Sequence, residues 1–148
     1  MFSAAIGIYW TNHHHLFHAA TRISGGVLWA NLHLLFWLSL VPFVTGWMAE
    51  HGSAALPTAF YVGVLLCVAI AWTIMKNVLV KVQGPGSRLG RAVGRDMKGR
   101  ISLACYLSAI ALAFVRPWIA QILAAVVAAM WLVPDRRIET VLSEPAVR

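Results

Sequence analysis

The chain has 148 residues, 60% hydrophobic and 11% charged, and its 12 Lys and Arg against 5 Asp and Glu give a formal charge of +7. Soluble domains carry about a quarter charged residues and at most about half apolar ones, and a chain this short keeps roughly a third of its area wet when folded. The composition therefore argues against a soluble globular enzyme and against disorder, and for a protein whose solvent is lipid.

The first expected element covers residues 1–17 and is peculiar. Only about twelve residues, roughly 18 Å of helix, precede the cluster Trp10, Thr11, Asn12, His13, His14, His15, followed by His18 and Arg22. Residues 1–12 lack the basic segment and small-residue cleavage site of a signal peptide. The chain thus reads as beginning partway through a span, with a preceding helix expected upstream. On a helix, His14 and His18 share a face, as do Thr11, His15 and His18. An i, i+4 His pair is half of a zinc site, but no Cys or carboxylate lies near in sequence to complete one. The favoured reading of Trp10, Asn12, His13, His14 and His18 is a hydrogen-bond network at the cytoplasmic end, tying this helix to a neighbour. Solvated interfacial histidines are the remaining reading.

The second span is expected at 26–48, entered through the Gly25-Gly26 turn. It carries Asn31 and His33 early, with Trp29 and Trp37. The expected role of Asn31 and His33 is an interhelical hydrogen bond rather than permeation or haem ligation. The third span is expected at 57–76, with Pro57 suited to a helix start. A basic loop over 77–99 follows; its glycines match no phosphate-binding pattern. Arg88, Arg91 and Arg95 are spaced to face anionic headgroups. The last two spans are expected at 100–115 and 117–133. A single helix over 101–133 runs to roughly 50 Å, too long for a bilayer. Arg116-Pro117-Trp118 is therefore read as a tight hairpin, with Arg116 and Trp118 at the interface. A tail covers 134–148.

The fold class expected is an all-α polytopic bundle of about five transmembrane helices in one domain. Five spans place eleven of the twelve Lys and Arg on one side and Arg116 alone on the other. This positive-inside pattern puts the 77–99 loop and the C-terminus in the cytoplasm. The same placement between spans argues against nucleic acid as a partner despite a pI of about 10.3. Cys67 and Cys105 lie inside apolar runs and read as buried thiols, not a disulfide. The five acids, Glu50, Asp96, Asp135, Glu139 and Glu144, all fall outside the expected hydrocarbon. No nucleophile–base or carboxylate pair stands out, so catalysis is not expected, nor is a carboxylate-driven transporter.

The stretch from Ile8 to Arg22 resembles the second helix of bacterial relatives of the endolysosomal potassium channel transmembrane protein 175. Leu28 to Phe36 and Ser39 to Phe43 resemble the third helix. Gly94-Arg95-Asp96 and Trp131-Leu132-Val133-Pro134-Asp135-Arg136-Arg137 are similar to the fourth-to-fifth loop and the exit of the sixth helix. The resemblance implies a six-helix subunit, four around a pore in bacterial members, passing potassium and, less well, other monovalent cations passively; the location expected is the plasma membrane, with no cofactor and no metal site. It implies that Trp10 and the His13–His14 pair pack against an Arg…Phe-Ser-Asp motif of the first, pore-lining helix. That motif is not present here: Phe2-Ser3 is followed by Ala4-Ala5. The expectation is a six-helix fold without its first helix, its pore constriction unknown because it belongs to that helix. The expected function is a potassium channel subunit and homo-oligomer. The alternatives are a non-conducting scaffold or regulatory subunit without the pore helix, and a His-based metal or proton transporter.

Overall fold

The computed structural model describes His13, residues 23–84, Ser87, Gly90 and residues 97–132. The expected span at 1–17, the tail at 134–148, and Trp10, Asn12, His14 and His18 lie outside the described residues. So do Arg88, Arg91 and Arg95 of the basic loop.

Four α-helices follow in order: α1, Gly25–His51; α2, Ala55–Gln83; α3, Met97–Ala113; α4, Pro117–Leu132. Two of them, α1 and α2, are long and apolar enough to cross a membrane by length and composition; α4 is apolar but shorter. At 1.5 Å per residue, α1 and α2 are each about 40 Å long and α3 and α4 about 25 Å.

Local chemistry sets the helix ends. Ser24 precedes α1 in an extended conformation, and its carbonyl accepts from the amides of Val27 and Leu28. Gly52 closes α1 at φ +59°, a backbone that side chains resist. Pro57 sits in the first turn of α2, where a missing amide hydrogen leaves no bond unmade. Gly84 ends α2 at φ +90°, its amide donating to Val80 O at 3.0 Å. Helix α2 continues past residue 76 to Gln83, so Lys81 stands on a helix and not in a loop. Lysine does not stop a helix, because its stem covers apolar surface while its head reaches outward. Helix α3 ends at Ala113, and Pro117 opens α4. The amides of Val115 and Arg116 both donate to Leu112 O in the turn between them.

Each helix buries one stripe at three- and four-residue spacing. In α1 the stripe includes Val27, Ala30, Leu34, Val41 and Val44; in α2 it includes Val62, Leu65, Val68, Trp72, Met75 and Leu79. The inner faces of α3 and α4 are built mostly from small residues: Gly99, Ser102, Ala109 and Ala113 against Ala120 and Ala124. Small residues let backbones approach closely, the packing that holds helices together where lipid removes the hydrophobic drive. Helix α2 is the hub, packed against α1, α3 and α4, while α3 also packs on α4. The outward faces expose large apolar side chains, Trp29 and Phe43 at 73% each among them. Such a surface suits acyl chains and not water.

Two side-chain contacts fix the arrangement of the ends. Gln121 of α4 reaches Gly52 O and Thr58, so the α1–α2 and α3–α4 turns share one end. Trp131 of α4 reaches Ser102 of α3 and meets Trp72 of α2 at the other. The helices therefore run antiparallel in sequence. Among the described residues, Lys76, Lys81, Lys98 and Arg100 fall toward the end where α2 stops and α3 starts. Glu50 and Arg116 stand at the turn end.

Candidate functional site: hydrogen-bond latches between helices

The start of α1 holds the part of the predicted network that is described. His13 Nε2 lies 2.7 Å from Asn31 Oδ1. A carboxamide oxygen only accepts, so in this pairing the imidazole donates from Nε2. The bond links a segment ahead of α1 to the half-buried side of α1.

His33 lies two residues further on, about 200° around the helix at 3.6 residues per turn. It therefore faces away from Asn31 and is exposed. Its Nε2 accepts from Trp37 Nε1 at 2.9 Å, one turn on along the same helix. The two rings meet edge to face, with centroids 6.3 Å apart. An accepting Nε2 leaves Nδ1 to carry the hydrogen of the neutral ring. Asn31 and His33, neighbours in sequence, thus serve different contacts: one between segments, the other within α1.

Two further latches were not singled out in the sequence. Gln121 Nε2 donates to Thr58 Oγ1 at 3.1 Å and to Gly52 O at 3.2 Å. Trp131 Nε1 donates to Ser102 Oγ at 2.9 Å, and Ser102 passes its own hydrogen to Lys98 O at 2.8 Å. Thr58 and Ser102 are both fully buried. The signal for both was available. Gln121 is the one amide in the apolar run 117–133, and a polar side chain inside such a run points toward a protein partner.

Among the described residues no three of His, Cys, Asp and Glu gather as metal ligands do. The described contacts are donor–acceptor latches suited to holding helices in register.

Comparison with known proteins bears on what the latched bundle serves. The family model described as endosomal/lysosomal potassium channel TMEM175 matches residues 2–42. A protein named potassium channel from Chryseobacterium sp. (strain P1-3) is 46% identical over 139 residues, covering 94% of this chain and 72% of that protein. Another of that name from Chamaesiphon minutus (strain ATCC 27169 / PCC 6605) is 30% identical over 126 residues, covering 78% of this chain and 60% of that protein. No solved structure matches the chain. The chain belongs to the TMEM175 potassium channel family. That is a family of membrane channels and not of enzymes; K+ is its permeant ion, and it uses no cofactor.

Proposed function

We propose that this chain is a subunit of a passive potassium channel in the plasma membrane, working as a homo-oligomer, with four subunits as the family resemblance implies. The observation that carries this reading is the 46% identity extending over 94% of the chain to a protein named potassium channel. The described bundle adds a physical reason for an oligomer. Its described interior is packed mostly with Val, Leu, Ala, Met and Trp side chains, and the buried polar residues Thr58, Lys76 and Ser102 lie toward the helix ends, so the middle of one subunit is apolar. Ions need dipoles or water along their route, so the conduit lies between subunits.

The basic ends set the orientation. The end bearing Lys81, Lys98 and Arg100 faces the cytoplasm under the positive-inside rule, and the Arg116 turn faces outward. The C-terminus then falls in the cytoplasm. The His13–Asn31 bond lies toward that cytoplasmic end and belongs to a network that includes Trp10, Asn12, His14 and His18.

Potassium flux from vesicles reconstituted with the purified protein tests the reading. Potassium-loaded vesicles should release the ion down its gradient without an added energy source. Release no faster than from protein-free vesicles contradicts conduction.

A further inference from the structure

A groove of about 600 Å³ runs between α1 and α2 near their shared turn, lined by Pro42, Phe43, Gly46, Trp47, Glu50 and Phe60. Pockets of this size hold a drug-sized or lipid-headgroup-sized ligand. Its walls are apolar and aromatic, and Glu50 is the one charged group in the lining. Trp47 has two aromatic neighbours: it meets Phe60 edge to face at 5.4 Å and His51 at 6.2 Å. His51 Nδ1 also lies 2.9 Å from Trp47 O.

Three features select the charge of an occupant. The Glu50 carboxylate attracts a cation and repels phosphate or carboxylate groups. The last turn of α1, where Glu50 stands, carries the negative end of the helix dipole. Aromatic faces attract ammonium groups. Two features select a long apolar body attached to that cation. Phe43 lies roughly 10 Å along α1 from Glu50 at 1.5 Å per residue, the step from headgroup depth into the acyl region. Phe43 and Phe60 are both exposed, so the groove opens sideways toward the surroundings of the bundle.

We propose that this groove binds a phospholipid of the ethanolamine class, its ammonium on Glu50 and Trp47 and its upper acyl chain over Phe43 and Pro42. A primary ammonium donates hydrogen bonds to a carboxylate, which choline cannot do. The site needs the membrane setting of the chain and not its conduction, so a failed flux experiment leaves it standing. It runs against the net charge of +7, which by itself draws anionic lipid.

Native mass spectrometry of protein released from vesicles of equal phosphatidylethanolamine and phosphatidylglycerol tests it. The wild-type protein should retain a phosphatidylethanolamine adduct. Glu50→Gln should lower that retention by about tenfold, the loss of one charge-assisted hydrogen bond, with phosphatidylglycerol adducts unchanged. Gly46→Leu supplies a steric arm. A Cβ at Gly46 meets nothing within 4 Å, so this lining position has room for a side chain, and leucine there should also remove the adduct. No ethanolamine adduct on the wild type, as expected if a second copy fills the groove, overturns the proposal. So does equal retention by either variant.

Discussion

The carboxamide of Gln121 stands 3.1 Å from the hydroxyl of Thr58, joining residues 63 apart in sequence and closing the turn end of the bundle. The same nitrogen also donates to Gly52 O, so one side chain holds the α1–α2 turn against the first turns of α2 and α4. Replacing Gln121 by Leu keeps the volume and removes the donor. Thr58 is fully buried and loses its partner on α4. Interhelical hydrogen bonds in membranes average about 0.6 kcal/mol, reaching about 1.7. Gln121→Leu should destabilise within that range in a detergent-denaturant titration. Thr58→Val should be non-additive with it in a double-mutant cycle. Full additivity would mean that the contact contributes nothing.

The His13–Asn31 bond predicts a similar coupling at the other end. Asn31→Leu and His13→Ala should each weaken the fold by about 0.6–1.7 kcal/mol, and the double variant should cost less than their sum. Trp37→Phe, which removes the donor to the exposed His33, should change stability by less. The order reverses if the exposed pair, and not the one between segments, holds α1 in place.

The small-residue seam between α3 and α4 makes a steric prediction. Ala109 and Ala120 are fully buried. Leucine at 109 has no space to occupy and should cost about 1–3 kcal/mol through overpacking. Leu107→Ala, two residues away on the exposed face, should have little effect in lipid. The same titration compares the two. Equal effects would argue that α3 and α4 do not meet on this seam.

Charge placement predicts which end faces the cytoplasm. In a Cys67→Ala, Cys105→Ala background, single cysteines at Ser53 and Met97 mark the two ends, both at exposed positions. A membrane-impermeant thiol reagent added to intact cells should label Ser53→Cys. It should label Met97→Cys only after lysis. The opposite pattern inverts the topology.

The helices were legible because apolar run length and punctuation are local properties. Gly52, Pro57 and Pro117 stand at or beside helix ends for steric reasons that read directly from their names. Charge misleads at Lys81, which the expected span at 57–76 leaves in a loop although α2 continues to Gln83. The latches were less legible. Whether Asn31 and His33 act together depends on the 200° between them and on what packs against each side. Gln121 and Thr58 meet only because α2 and α4 run parallel, both starting at the turn end. Trp131 finds Ser102 because α3 and α4 run antiparallel across their tight turn. The sequence held each polar group, and only the fold held the pairings. Of the predicted network, His13 alone falls among the described residues, and its partner Asn31 stands on the neighbouring helix.

Current through a planar bilayer containing the purified protein tests the central claim most directly. With potassium chloride at unequal concentrations on the two sides, the account predicts steps of current that reverse near the potassium equilibrium potential. Replacing potassium by sodium should reduce them. A bilayer as silent as one without protein, or a current reversing at the chloride potential, contradicts a potassium channel.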